Sequence, residues 1–211
     1  MGMYKIPEDI IGFDNPNGLF SNEIMKDKTI TNRKTILAIS GSTRQFSTNL
    51  NLINCIVRLY SNKLNIELCE GLSKLPHFNP DLDNETPPKS ISNFREQLSE
   101  ADGILICTPE YAMGVPGTLK NAIDWTVSSM ELSHKPTALI TASTSGQDAH
   151  HSLIKTLRIL QADMPDGSVL LISHVKAKVN AEGITDRFTL TQINQVMDSL
   201  INTIQKRSSQ L

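Results

Sequence analysis

The sequence predicts a doubly wound α/β fold, an open parallel sheet with helices on both faces. Two observations predict it. Five short apolar runs alternate with five segments of helical periodicity along the chain. The first of them, Thr35 to Ser40, is a near-continuous apolar run, which is the pattern of a strand buried on both faces. No internal repeat or low-complexity tract interrupts the succession.

The first run, Thr35 to Ser40, reads as a buried strand that stops at Gly41. A helix follows from about Thr48 to Ser61, with Leu52, Ile56 and Leu59 at helical spacing. Asn65 to Cys69 is the second strand. Gly71 to Lys89 is irregular and holds Pro76, Pro80, Pro87 and Pro88. A helix from about Ser90 to Glu100 leads to the third strand, Gly103 to Cys107. A loop with Pro109, Gly114 and Pro116 enters a helix ending near Ser129, with Pro116 suited to its first turn. Pro136 to Ala142 is the fourth strand. A polar loop, Ser143 to Asp148, opens a helix to about Ala162. Val169 to Ile172 is the fifth strand, and the last helix runs from about Phe188 to Lys206. Residues 1–33 differ: prolines, glycines and polar residues without periodicity read as an N-terminal arm or extension, so the domain proper is expected over 34–211.

Composition narrows the function classes. Twenty basic residues stand against 22 acidic ones, a net charge of −2 that lacks the basic excess of a general nucleic-acid binder. No apolar stretch approaches the roughly 20 residues of a membrane span, and no signal peptide is visible, so a cytoplasmic protein is expected. Cys55, Cys69 and Cys107 have no CxxC spacing and read as buried reduced thiols, with a catalytic thiol as the alternative. His150 and His151 lack partners at metal-ligand spacing, and no metal site is expected.

In a doubly wound sheet, ligands bind outside the carboxyl ends of the strands, near the point where strand order reverses. The loops after the first, third and fourth strands are therefore the places to look. The first reads Gly41-Ser42-Thr43-Arg44-Gln45-Phe46-Ser47-Thr48-Asn49. It has neither the GxxxxGK[ST] of a P-loop nor GxGxxG. Its hydroxyls, its arginine and the helix N-terminus behind it suit a phosphate. The same residues also suit a plain polar turn, with Ser47 or Thr48 as N-cap. The loop after the third strand, Thr108 to Trp125, is rigid and mostly uncharged, with Tyr111 and Met113 beside Gly114. It would make a platform for a flat ring, and Gly114 would allow close approach of backbone.

Together the two loops resemble the NADPH-dependent FMN reductase family, which includes flavin, quinone, chromate and azo-dye reductases. Gly41, Ser42, Arg44, Ser47 and Asn49 match that family's GSxRxxSxN pattern, and Pro109 to Trp125 match its PEYxxGxPGxLKNAxDW pattern at every fixed position. The resemblance covers about Lys34 to the C-terminus. It implies a flavodoxin-like three-layer fold with strand order 2-1-3-4-5. It implies FMN as cofactor and NADPH or NADH as hydride donor, with transfer onward to a small-molecule electron acceptor: a flavin, a quinone, an azo dye or a metal oxyanion. Ser42, Arg44, Ser47, Thr48 and Asn49 would bind the FMN phosphate. Pro109, Glu110, Tyr111, Ala112, Met113 and Gly114 would line the isoalloxazine, and Ser143, Thr144, Ser145 and Gly146 would flank it from the other side.

No side chain need act as acid or base, because the flavin carries the chemistry. Glu110 reads as a loop-fixing carboxylate rather than a catalytic base, Trp125 as a packing residue, and Lys120 with Asp124 as a surface ion pair. The resemblance also implies a homodimer or homotetramer. The sequence departs from the family at Ala112 and Met113, where Asn or His is frequent, and after the fourth strand, where a Gly-Gly pair is usual. An FMN-binding electron-transfer or regulatory protein that does not oxidise nicotinamide is the alternative function.

Overall fold

The structure is a computed structural model in which residues 33–44 and 46–209 are described. The expected N-terminal arm lies outside them except for Arg33. Among the described residues, five strands form one parallel sheet: β1 (Lys34–Ser40), β2 (Leu64–Leu68), β3 (Gly103–Thr108), β4 (Thr137–Ala142) and β5 (Val169–Ile172). Their order is β2-β1-β3-β4-β5. Five helices separate and follow them: α1 (Thr48–Tyr60), α2 (Lys89–Glu100), α3 (Gly117–Asp124), α4 (Gln147–Ile159) and α5 (Arg187–Ser208). The irregular stretch after β2 carries two single 3₁₀ turns, Leu72–Lys74 and Pro80–Leu82, and a third, Val175–Ala177, follows β5.

Side chains alternate across each strand, and here both directions lead into core. Ile36 and Ala38 face a cluster with Leu52 and Ile56 of α1 and Ile193, Met197 and Leu200 of α5. Leu37 and Ile39 face a second cluster with Phe94 and Leu98 of α2, Leu119 of α3, and Leu153 and Leu157 of α4. So α1 and α5 cover one face and α2, α3 and α4 the other. Every residue of β3 and β4 is buried. Each fully buried Leu or Ile contributes roughly 1.5–3 kcal/mol. Leu59, expected on the inner face of α1, is instead exposed, because the buried stripe runs through Leu52, Ile53 and Ile56.

Two helices end earlier than periodicity predicts. α3 stops at Asp124 rather than near Ser129, and α4 stops at Ile159 rather than Ala162, where Gln161 turns left-handed with φ 58°. Pro116 is the N-cap of α3 and not its first residue. Trp125 is fully buried, meets the edge of the Phe78 ring, and donates its indole N–H to the Pro76 carbonyl at 2.9 Å. The proline-rich stretch is thereby pinned against α3. Lys120 and Asp124 form the expected surface ion pair at 2.5 Å.

The strand order reverses between β1, which runs outward to β2, and β3, which runs to β4 and β5. The loops after β1 and β3 therefore part at this point and leave a crevice above the sheet.

Candidate active site

The loop after β1 is held hard against the end of β3. The Gly41 N–H donates to the Cys107 carbonyl at 2.8 Å. A Cβ at Gly41 would lie 2.2 Å from Thr108 Oγ1, so only glycine fits there. The Ser42 N–H donates to Ser40 Oγ at 3.3 Å, and the Arg44 N–H reaches Ser42 Oγ at 3.4 Å. Ser47, not Thr48, is the N-cap of α1: its hydroxyl accepts the Asn49 N–H at 3.2 Å. Asn49 is buried. Its Nδ2 donates to the Ala142 carbonyl at 3.0 Å, while its buried Oδ1 has no partner among the described residues. The Nδ2 bond fixes the amide's orientation, since a flip would set oxygen against oxygen. The orphaned atom is therefore an acceptor awaiting a donor.

The loop after β3 turns back on itself at Tyr111–Gly114. The Tyr111 N–H donates to the Gly114 carbonyl at 2.8 Å, and the Gly114 N–H donates to the Tyr111 carbonyl at 3.0 Å. The two central residues, Ala112 and Met113, have φ of 48° and 60°. Two left-handed residues in succession are the signature of a type I′ turn, which favours Asn and Gly. The turn holds Tyr111 half-exposed and leaves Met113 exposed. The Tyr111 hydroxyl lies 3.5 Å from Ser42 Oγ, so the first two loops meet at these oxygens.

Glu110 joins the second loop to the third. Its N–H donates to Ser143 Oγ at 3.2 Å. Its carboxylate accepts the Gly146 N–H at 3.2 Å on Oε1 and the Ala149 N–H at 3.0 Å on Oε2. Those amides open α4, so the carboxylate satisfies donors that the helix leaves unpaired and sits at the positive end of its dipole. Glu110 is a strut between two walls, and both its oxygens are engaged. Gly146 has φ 96°, and a Cβ there would lie 2.8 Å from Leu171 Cδ1. The segment after β5 is tied in as well: the Val175 N–H donates to the Ser143 carbonyl and the His174 N–H to the Thr144 carbonyl, both at 3.1 Å.

These loops surround one cleft of about 180 Å³, open to solvent. Of the sequence-predicted residues, Ser42, Arg44, Ser47, Thr48, Asn49, Pro109, Glu110, Tyr111, Ser143 and Thr144 line it. Ala112, Met113 and Gly114 shape the turn beyond Tyr111, and Ser145 and Gly146 shape the start of α4; none of these five lines the cleft itself. Ala142, Val175 and Lys176 also line it. Ala142 is the last residue of β4, and Val175 and Lys176 come from the segment after β5, outside the loops after the first, third and fourth strands. The hydrogen bonds to Ser143 and Thr144 are what bring the fifth loop in, and a parallel strand beside β4 was the signal that could have suggested it.

The cleft suits FMN on its own chemistry. Hydroxyls, a guanidinium and a helix N-terminus meet at one end, where a phosphate needs them. The buried Asn49 Oδ1 requires a hydrogen-bond donor, which a ribityl hydroxyl provides. The lining carboxylate, Glu110, is turned onto the backbone donors that open α4. The cysteines stand apart from the cleft. All three are free and buried, and burial pushes the Cys69 thiol up to about 12 and Cys107 higher still.

Comparison with known proteins agrees with this geometry. The description NADPH-dependent FMN reductase matches residues 35–177. A quinone reductase of Pseudomonas putida is 34% identical over 139 residues, 62% of this chain and 72% of that one. An NAD(P)H-dependent FMN reductase of Pseudomonas aeruginosa is 34% identical over 153 residues, 70% of this chain and 82% of the other. Among solved structures, the flavoenzyme NAD(P)H:(acceptor) oxidoreductase FerB of Paracoccus denitrificans superposes with a TM-score of 0.67 at 27% identity, covering 82% of this chain and 98% of FerB. With both loop motifs, the strand order and a family match over most of the sheet in agreement, the chain belongs to the NADPH-dependent FMN reductase family.

Proposed function

We propose that the chain is an NAD(P)H-dependent flavin oxidoreductase that uses FMN in this cleft to move electrons from a nicotinamide to a small quinone or flavin. The observation that carries the reading is the convergence of three loops on one cleft, with an unpartnered Asn49 Oδ1 and an engaged Glu110. The acceptor class follows the relatives named for quinones and flavins. When bound, FMN supplies the hydride-accepting centre.

The chain's own residues do the rest. Ser42, Arg44, Ser47 and Thr48 hold the phosphate, and Asn49 orients the chain behind it. Pro109 and Tyr111 form one wall, backed by the turn through Ala112, Met113 and Gly114. Ser143 and Thr144 form the other, backed by Ser145 and Gly146, and Glu110 fixes the width between the walls. No side chain here is assigned a proton transfer.

The domain is taken as residues 34–211. Leu82, Val127 and Met130 are exposed, and Asp83 accepts a hydrogen bond from the Ser128 hydroxyl, so these apolar residues share a region suited to a homodimer or homotetramer contact. Buried reduced thiols fit a cytoplasmic site of action. Among the described residues no helix is long and apolar enough to cross a membrane.

The visible absorption spectrum of the purified chain, recorded before and after anaerobic NADPH addition, tests the function. A flavin spectrum that bleaches is expected. A flavin spectrum that NADPH and NADH both leave unchanged would assign the chain to FMN-binding electron transfer. No flavin uptake from excess FMN would exclude both.

A further inference from the structure

Lys176 lines the cleft from the segment after β5, a position that neither loop motif includes. It sits on the 3₁₀ turn Val175–Ala177, directly after His174, whose φ is 54°. The backbone there is fixed: His174 and Val175 donate their N–H groups to Thr144 and Ser143, the Val179 N–H closes back on the Val175 carbonyl at 2.9 Å, and Val175 is buried. The Lys176 side chain is therefore presented from a rigid base. No acidic partner pairs with Lys176 or with Arg44 among the described residues. The carboxylate lining the same cleft, Glu110, is engaged by two backbone N–H groups. The cleft thus gathers two cations outside any ion pair among the described residues, from distant parts of the sequence, with the hydroxyls of Ser42, Ser47, Thr48 and Thr144 and a buried Asn49 Oδ1. Two such cations against one carboxylate that is held by backbone donors suit a phosphate ester.

We propose that Lys176 is a phosphate-recognition residue of this site, a second cation acting with Arg44. It rests on the flavin-site reading above. The phosphate ester is the 5′-phosphate of FMN or a phosphate of the nicotinamide dinucleotide, and affinity measurements separate the two.

The test titrates FMN and riboflavin, which lacks the phosphate, into the full-length chain freed of flavin, following flavin fluorescence. Lys176→Ala should weaken FMN about 5- to 20-fold and leave riboflavin unchanged, and Lys176→Arg should restore most of the loss. The FMN preference of the unaltered chain should shrink with added salt more steeply than that of Lys176→Ala. Arg44→Ala, from the phosphate loop itself, should weaken FMN roughly 10- to 100-fold. Unchanged FMN affinity with a raised KM for NADPH or NADH and unchanged kcat would support the assignment and place the phosphate on the dinucleotide. Unchanged FMN affinity with unchanged KM would overturn it while leaving the flavin site intact. If the unaltered chain takes up neither flavin, the flavin-site reading fails and this one with it.

Discussion

Ala112 and Met113 are left-handed residues without the side chains that usually make that conformation tolerable. Each carries a cost of about 1–2 kcal/mol for an L-residue with a Cβ. The mutual hydrogen bonds of Tyr111 and Gly114 hold the turn in place. Asn is far better suited to this backbone, because its short polar side chain bonds locally. Ala112→Asn should therefore raise stability by up to about 1 kcal/mol, a rise in Tm of about 2–4 °C by thermal melting. A lowered Tm would mean that the Ala112 methyl packs usefully in the turn. This feature was not legible in the sequence, since Ala-Met gives no turn signal; only Gly114 hinted at it. Gly41 was legible as a turn, but not its reason. Thr108, which would stand 2.2 Å from a Cβ at Gly41, is far away in the chain, and no local pattern encodes that neighbour.

Elements were readable where burial alone shapes them. β1, β3 and β4 are covered on both faces, so their sequences are plain apolar runs, and the predicted strands agree with the observed ones to within a residue at each end. Element ends were less readable, because tertiary partners decide them. The Trp125 carbonyl is one example. It accepts from the Arg95 guanidinium, a residue of α2 that also pairs with Asp83 at 2.7 Å. That lateral claim helps to end α3 where periodicity would have carried it on. The start of α4 holds a comparable tertiary tie, His150. Its Nδ1 lies 2.9 Å from Thr141 Oγ1, and the ring is buried. Burial, and then the neighbouring His151, hold its pKa below the ordinary 6.5. A helix N-terminus disfavours a positive charge as well. In the unfolded chain the ring protonates near 6.5. Between that value and the lower folded one, the unfolded chain binds more protons, so stability falls as pH falls below about 6.5. Thermal melts from about pH 7.5 to about pH 5.5 should show this decline, and His150→Gln should flatten it. An equally steep decline in the variant would place the proton uptake elsewhere.

At the scale of the molecule, the strand order 2-1-3-4-5 decides where chemistry can occur. It opens a crevice at the one reversal point, and the three loops fastened around it by Glu110, Tyr111 and Asn49 make that crevice a single cleft. The loops after β1, β3 and β4 were identifiable from strand order and motif together. The fifth loop was not, because it joins the site through backbone hydrogen bonds to Ser143 and Thr144 that leave no trace in residue type. A single cleft constrains kinetics. With FMN held there, nicotinamide and acceptor would share the solvent-open cleft lined by Tyr111 and Ser143, so the oxidised dinucleotide would leave before the acceptor enters. Initial rates measured with NADPH and a quinone should then give parallel lines in double-reciprocal plots, and each substrate at high concentration should inhibit competitively against the other. Intersecting lines would require both substrates bound at once. That outcome would demand a second binding surface, and the walls braced by Glu110 would have to part to make room for it.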